Sequence, residues 1–248
     1  MPTAASPSPP TTFILVPGAW HGAWCWERVV PLLEDAGHRA LAPELLGMGA
    51  DRARAAEGSL AAWGDQLAAL VLAQPGPVIL VGHSRGGALL SLLAERLPER
   101  ITRLVYVAAL LLADGTAVRD VLGGAIGARP TNIAKADDGT CTIAAEDVGP
   151  ALYNTTPADW TARAVSRLGP EPRVALRTPV AVSAARFGQV PRAYVECTAD
   201  RTIPLATQRA MQAVWPCDPV LTLECDHSPF YSAPEALAAA LIELAKPA

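Results

Sequence analysis

The chain has no excess of basic charge. Lys and Arg number 20 against 24 Asp and Glu, a formal net charge of −4. That balance offers no footprint for nucleic acid, which is excluded as an expected partner. No apolar run is long and unbroken enough to span a bilayer, so no membrane partner is expected. The stretch Leu104 to Ala113 has the length of a buried strand. Cysteine is scarce: five residues, at 25, 141, 197, 217 and 225, with no CxxC and no Cys/His cluster of zinc-ligand spacing. Reduced, mostly buried thiols are the expectation, with a Cys197–Cys225 or Cys217–Cys225 bridge as the alternative. Met1 to Thr12 is rich in Pro, Ser, Thr and Ala and lacks the basic start and apolar run of a signal peptide. It reads as a flexible leader, residues 1–12, on a cytoplasmic protein. Internal repeats and long charge runs are also missing.

What remains is a 248-residue chain that is 51% hydrophobic and 18% charged. It is long enough to bury a core without disulfide or metal staples. Phe13 to Val16 is a short apolar run closed by Pro17-Gly18, the pattern of a buried strand and its turn. Trp24 to Ala36 has helical spacing and stops at Gly37. His38 to Ala42 reads as a second strand. Ser59 is placed as an N-cap, ahead of a stripe of Leu60, Trp63, Leu67, Leu70 and Val71. Val78 to Val81 is apolar at every position, as a strand covered on both faces must be. A helix over Ala88 to Leu97 and a strand over Ile101 to Leu111 follow. This alternation predicts an α/β fold, with a mostly parallel sheet and helices on both faces.

The alternation breaks down between Leu112 and Gly188, where Gly123-Gly124, Pro130, Asp137-Asp138-Gly139, Pro150, Pro157, Pro170, Pro172 and Pro179 interrupt it. Only short helical pieces such as Pro157 to Leu168 survive. The expected organisation is a core of 13–111 and 189–248 with an inserted lid at 112–188. Past the lid, a strand at Arg192 to Cys197, a helix at Pro204 to Val214, a strand at Val220 to Glu224 and a helix at Pro234 to Leu244 restore the rhythm.

One turn carries chemistry. Gly82-His83-Ser84-Arg85-Gly86 follows a buried strand and opens a helix, the context in which GxSxG positions a nucleophile. A turn this tight leaves no room for side chains two residues before and after the serine. The helix N-terminus beyond it favours developing negative charge. A serine hydroxyl needs a base. The chain has four histidines: 21, 38, 83 and 227. His38 sits in a turn, and His83 lies inside the elbow with its side chain expected to point away. His21 is expected to tie its own loop together. His227 follows the last strand, and residues just past parallel strand ends gather at one edge of the sheet. It is therefore the expected base. The carboxylate that orients it is expected at Asp200, past the strand Arg192 to Cys197, with Asp114 as rival; Asp226 is too near in sequence to reach its ring. Oxyanion donors are expected from the backbone N–H of Arg85 and, in the turn Pro17 to Gly22, of Ala19. The Arg85 side chain should pack or pair outside the cavity. Trp20, Tyr153, Trp160, Phe187 and Phe230 are candidates to line the site. The Trp20, Trp24 and Trp26 cluster is first of all core packing.

These residues resemble a known family. Phe13-Ile-Leu-Val-Pro-Gly-Ala-Trp-His-Gly-Ala-Trp-Cys-Trp26, Pro31 to His38, Gly82-His-Ser84, Cys197-Thr-Ala-Asp200-Arg-Thr-Ile-Pro204 and Asp226-His227 are similar to the α/β-hydrolase branch of plant methylesterases, hydroxynitrile lyases and their bacterial esterase relatives. The resemblance covers 13–110 and 192–245 and weakens across the lid. It implies Ser84, Asp200 and His227 as triad, in the family's chain order, with Ala19 and Arg85 at the oxyanion hole. It departs at Pro17, where the family usually has histidine. It departs from the lyases at Gly18 and Ser228, where threonine and a cationic lysine are typical. The expectation is therefore hydrolysis of small to medium apolar esters, without metal or organic cofactor, by a monomer or homodimer whose partner is the small-molecule ester. A lyase reaction on the same triad and a low-turnover ligand-binding relative are the competing readings.

Overall fold

A computed structural model of the chain describes residues 10–124 and 132–246. The first nine residues of the expected leader, and Pro130, lie outside the described residues. The first half runs β1 (Thr12–Val16), α1 (Val29–Asp35), β2 (Arg39–Leu41), α2 (Leu60–Leu72), β3 (Val78–His83), α3 (Gly86–Arg96) and β4 (Ile101–Val107). A middle segment holds α4 (Val118–Gly124), β5 (Ile133–Lys135), β6 (Thr140–Ile143), α5 (Ala145–Leu152), α6 (Ala158–Arg167), β7 (Glu171–Pro172) and α7 (Arg173–Arg177). The last part is β8 (Arg192–Cys197), α8 (Leu205–Val214), β9 (Val220–Leu223), α9 (Pro229–Ser232) and α10 (Pro234–Leu244).

Six strands form one sheet in the order β2-β1-β3-β4-β8-β9, and every pairing between neighbours is parallel. Strand alternation sends its side chains to two separate cores. Ile14, Val16 and Leu80 pack with Leu60, Trp63, Leu67 and Val71 of α2 and with Leu89, Leu90 and Leu93 of α3. Phe13, Leu15, Ile79 and Val81 pack on the other face with Val29 and Leu33 of α1 and Leu237 and Leu241 of α10. The Ser59 hydroxyl caps α2, accepting the Ala62 N–H at 3.1 Å. Among the described residues no helix is long and apolar enough to cross a membrane.

Three differences from the expected elements have physical causes. The helix expected from Trp24 divides into a 3-10 turn at Ala23–Trp26 and α1. Pro31 requires this, because its missing N–H is tolerated only in a first turn. The strand expected to reach Leu111 stops at Val107, and Ala108 turns the chain with φ +42. Leu110, Leu111 and Leu112 stay buried because this loop passes beneath α3, where the Leu110 N–H donates to the Ser84 carbonyl at 2.9 Å. The middle segment also carries a second, antiparallel sheet, β5-β6-β7.

The chain crosses from β1 to β2 on one side and returns to β3 on the other. The sheet therefore changes winding direction between β1 and β3, and a crevice opens there beyond the carboxyl ends of the strands. Loops after β1, β3, β8 and β9 all reach that edge.

Candidate active site

Ser84 follows β3 directly and takes φ +51, a left-handed conformation that turns its hydroxyl out of the strand. The turn closes only because its flanks are bare. A Cβ on Gly82 would lie 2.9 Å from the Gly86 carbonyl carbon, and one on Gly86 would lie 2.8 Å from the Val16 oxygen. Ser84 is 8% exposed, so its hydroxyl sits in a nearly closed site.

His227, in the loop after β9, brings Nε2 to 3.0 Å from Ser84 Oγ. Its Nδ1 lies 2.7 Å from Asp200 Oδ2. With Nδ1–H donating to the carboxylate, Nε2 is free to accept the serine proton. The other Asp200 oxygen accepts N–H bonds from Thr202 and Ile203, both at 2.8 Å, which fixes the carboxylate. Asp114 is elsewhere: its Oδ1 accepts the Val182 N–H at 2.9 Å. Asp226 turns away from the His227 ring. It accepts from Thr155 N–H, the Thr156 hydroxyl, Ser228 N–H and the Ser232 hydroxyl, pinning the His227 loop to the chain between α5 and α6.

Two further histidines pack beside His227. His83 was expected to point away; instead its Nε2–H donates to the His227 carbonyl at 2.7 Å. His21 Nδ1–H donates to the Ala19 carbonyl at 2.7 Å, and its Nε2 accepts the Tyr153 hydroxyl at 2.6 Å. Burial pushes the His21 imidazolium down to about 3 and His83 well below its ordinary value, so both rings are neutral. Neutral rings suit this hydrogen-bond pattern and place no fixed charge against His227.

The β1 turn is held in a strained form. Trp20 has φ +63, which costs a non-glycine residue roughly 1–3 kcal/mol. Its N–H donates to Glu171 Oε2 at 3.1 Å, its carbonyl accepts the Gly169 N–H at 2.9 Å, and its indole donates to the Cys141 carbonyl at 3.2 Å. Arg85 is fully buried beside it. Its Nε lies 2.8 Å from Glu171 Oε1, its Nη2 donates to the Gly18 carbonyl at 3.0 Å, and its guanidinium rests 4.2 Å from the Trp63 ring centre. Burial raises the Glu171 carboxyl and lowers the Arg85 guanidinium, and each charge opposes the other's shift. Glu171 was not legible in the sequence as a site residue. Its one signal was the elbow arginine, which needs a buried carboxylate from somewhere in the chain.

The expected lining residues separate. Trp20 belongs to the β1 turn, and Tyr153 bonds to His21 of that turn, through the contacts above. Phe230 is fully buried among rings, 5.0 Å from His83 and 5.7 Å from Trp26. Trp160 rests on Tyr231 at 4.9 Å with Arg28 over its ring, one layer farther out. Phe187 does not belong to the site. It packs against Trp215 at 4.9 Å, and its N–H donates to Glu95 near the far end of α3. The chain has to run back along α3 to enter β8 at the opposite edge of the sheet, and Phe187 lies on that return.

All five cysteines are free thiols. The Cys197 and Cys225 sulfurs lie 3.5 Å apart. Among the described residues no group of three or more His, Cys, Asp or Glu could hold a metal ion.

Fold and site together define an α/β hydrolase. Residues 13–240 match the alpha/beta hydrolase family, and the chain belongs to it. It is 31% identical to putative methylesterase 11, chloroplastic, of Arabidopsis thaliana, over 94% of this chain and 64% of that protein, so it spans less than two thirds of that relative's length. It is 32% identical to a pyrethroid hydrolase of Sphingobium wenxiniae, over 95% of this chain and 88% of the relative. Among solved structures, a pyrethroid hydrolase from Sphingobium faniae superposes with a TM-score of 0.82 at 29% identity, covering 94% of this chain and 96% of that one.

Proposed function

We propose that the chain is a serine-dependent carboxylic-ester hydrolase acting on small to medium, largely apolar esters. One observation carries the reading: the unbroken relay from Asp200 through His227 to Ser84, at 2.7 and 3.0 Å. In this mechanism His227 takes the Ser84 proton as Oγ attacks the ester carbonyl. The Ala19 and Arg85 N–H groups receive the negative oxygen. The Trp20 N–H, next along the loop, is already engaged by Glu171. The tetrahedral intermediate collapses, His227 protonates the departing alcohol, and an acyl group remains on Ser84. Water, deprotonated by His227, then attacks the acyl carbonyl, and Ser84 leaves with the proton restored. Protons balance with the triad and water alone, so no metal or organic cofactor is needed.

The names of the relatives, methylesterase and pyrethroid hydrolase, support ester cleavage. Ser228 speaks against cyanohydrin cleavage, because it supplies no cation for departing cyanide where the lyases have lysine, and Gly18 likewise departs from their threonine. Residues 112–188 serve in this reading as the lid that selects the ester, on a core of 13–111 and 189–248. The test is hydrolysis of p-nitrophenyl acetate and butyrate, with fluorophosphonate labelling of Ser84. Ser84→Ala should abolish both in folded protein. Retained hydrolysis removes the nucleophile, and cyanide release from mandelonitrile by the wild type favours the lyase instead. Absence of both turnover and labelling favours a binding role.

A further inference from the structure

We propose that Glu171 is a positioning residue for the oxyanion hole, and that its carboxylate sets both donor loops at once. This rests on the ester-hydrolase reading above. Ala19, the donor in the β1 turn, is flanked by two peptide groups, and both are gripped. The Gly18 carbonyl on one side accepts from Arg85 Nη2 at 3.0 Å. The Trp20 N–H on the other side donates to Glu171 Oε2 at 3.1 Å. Glu171 Oε1 closes the ring by facing Arg85 Nε at 2.8 Å. Arg85 is also the residue whose own N–H is the second donor. One carboxylate therefore fixes the direction of the Ala19 peptide and couples it to the elbow.

The grip works against strain. Trp20 sits at φ +63, where a tryptophan does not rest unaided, and residues 141, 169 and 171 hold its indole N–H, carbonyl and backbone N–H. Released, the turn would relax toward ordinary backbone angles and rotate the neighbouring Ala19 N–H away from the reaction centre. Electrostatics fit the same role. A lone buried carboxylate beside a developing oxyanion would oppose it; pairing with Arg85 cancels that charge. The guanidinium, stacked on Trp63 and 1% exposed, has no room to change partner.

Two variants separate positioning from stability. Glu171→Gln keeps the shape and an acceptor for Trp20 but removes the charge. The double variant Arg85→Leu with Glu171→Leu removes both charges, so no unpaired ion is left buried. Each is assayed for kcat and KM on p-nitrophenyl butyrate, for inhibition by a trifluoromethyl ketone that adds to Ser84 as an oxyanion, and for its urea midpoint. The expected result is a kcat loss of about 10- to 100-fold in the double variant and a smaller loss in Glu171→Gln, which keeps an acceptor for Trp20 but weakens the tie to Arg85. KM should stay within about twofold, because ground-state binding does not use the donors. Ketone affinity should fall by the same factor as kcat, and the double variant, which leaves the Gly18 carbonyl and the Trp20 N–H unpaired, should show the loss at a lowered midpoint while still unfolding in one cooperative urea transition. A folded variant with native kcat and native ketone affinity overturns the proposal while leaving the hydrolase reading intact. A wild type that turns over no ester and does not bind the ketone overturns both.

Discussion

His83 and His227 are joined through the backbone: the elbow histidine donates Nε2–H to the His227 carbonyl at 2.7 Å, and their rings lie 4.7 Å apart. The residue preceding Ser84 thus holds the loop that carries His227. His83→Ala would leave that carbonyl buried without a donor, at a cost of about 1–3 kcal/mol. It would also free the His227 loop to drift from Ser84, where a shift of an ångström costs up to about 100-fold in rate. Urea melts and kcat measured together should show both losses. Native kcat in His83→Ala would mean that Asp226 and Asp200 hold the base loop unaided.

The same burial makes stability depend on pH. His21 in the folded protein protonates only at about 3, and His83 only well below its ordinary value. Unfolded histidine takes its proton near 6.5. Their contribution is therefore complete above about pH 6.5 and is lost progressively as pH falls toward the folded values. Each buried ring should steepen the loss by up to about 1.4 kcal/mol per pH unit. Urea midpoints at pH 7.5, 6.0 and 5.0 should fall, and His83→Asn, which still donates to the carbonyl, should reduce the slope by about half. An unchanged slope would place protons on these rings in the native state.

Asp200 and Asp114 each follow a strand that ends at the active edge, and either could have been the acid by position alone. Only Asp200 reaches His227; Asp114 is spent on the Val182 N–H. Asp200→Asn should lower kcat by about three to four orders of magnitude, because the amide cannot stabilise the imidazolium. Asp114→Asn should leave kcat near native and cost only stability. The opposite pattern reverses the assignment.

The contrast between these acids shows what the sequence made legible. Ser84, Asp200 and His227 each lie a few residues past an apolar run, and the parallel alternation brings such positions to one edge. Glu171 belongs to a strand of two residues, too short to leave a periodic signal, and its partner Arg85 is distant along the chain. The small β5-β6-β7 sheet was hidden for the same reason. Phe187 was misplaced because the path from the middle segment back to β8 is a tertiary fact, and no local pattern marks which edge it visits.

Glu27 joins the start of the chain to α6. Its carboxylate accepts from Arg163 Nε and Nη2, both at 2.7 Å, from Arg167 Nη1 at 2.8 Å, and from the Tyr231 hydroxyl. These bonds hold its carboxyl down at about 2, led by the Arg163 contact. The contribution is present above the unfolded value near 4.3 and disappears as pH falls through about 2. The cluster is partly exposed, so solvent screening limits it to about 1 kcal/mol. Glu27→Gln should lower the melting temperature by about 2–4 °C at neutral pH, and molar salt should narrow the gap. Triad chemistry at 25 °C should be unaffected.

Gly18 supplies the sharpest test of how closely the β1 turn packs on the Ser84 elbow. A Cβ there would stand 2.7 Å from His83 Nδ1 and 2.9 Å from Ser84 Cβ. Neither neighbour is free to move, since His83 is bonded to the His227 carbonyl and Ser84 is held in the elbow. Gly18→Ala should therefore push the β1 turn away from the nucleophile. The overpacking costs about 1–3 kcal/mol of stability, and the displaced oxyanion donor should cost about 100-fold in kcat. Gly149→Ala, in α5 and away from the site, is the matched control: beyond its own helix and chain neighbours, a Cβ there meets the Thr161 methyl of α6 at an ordinary 3.6 Å. It should keep native kcat and leave stability near native, because Pro150 follows directly and its ring disfavours helical angles for a residue that bears a Cβ, which offsets the gain in helix propensity. If Gly18→Ala instead keeps native kcat, the β1 turn has room to spare and the proposed oxyanion role of Ala19 fails.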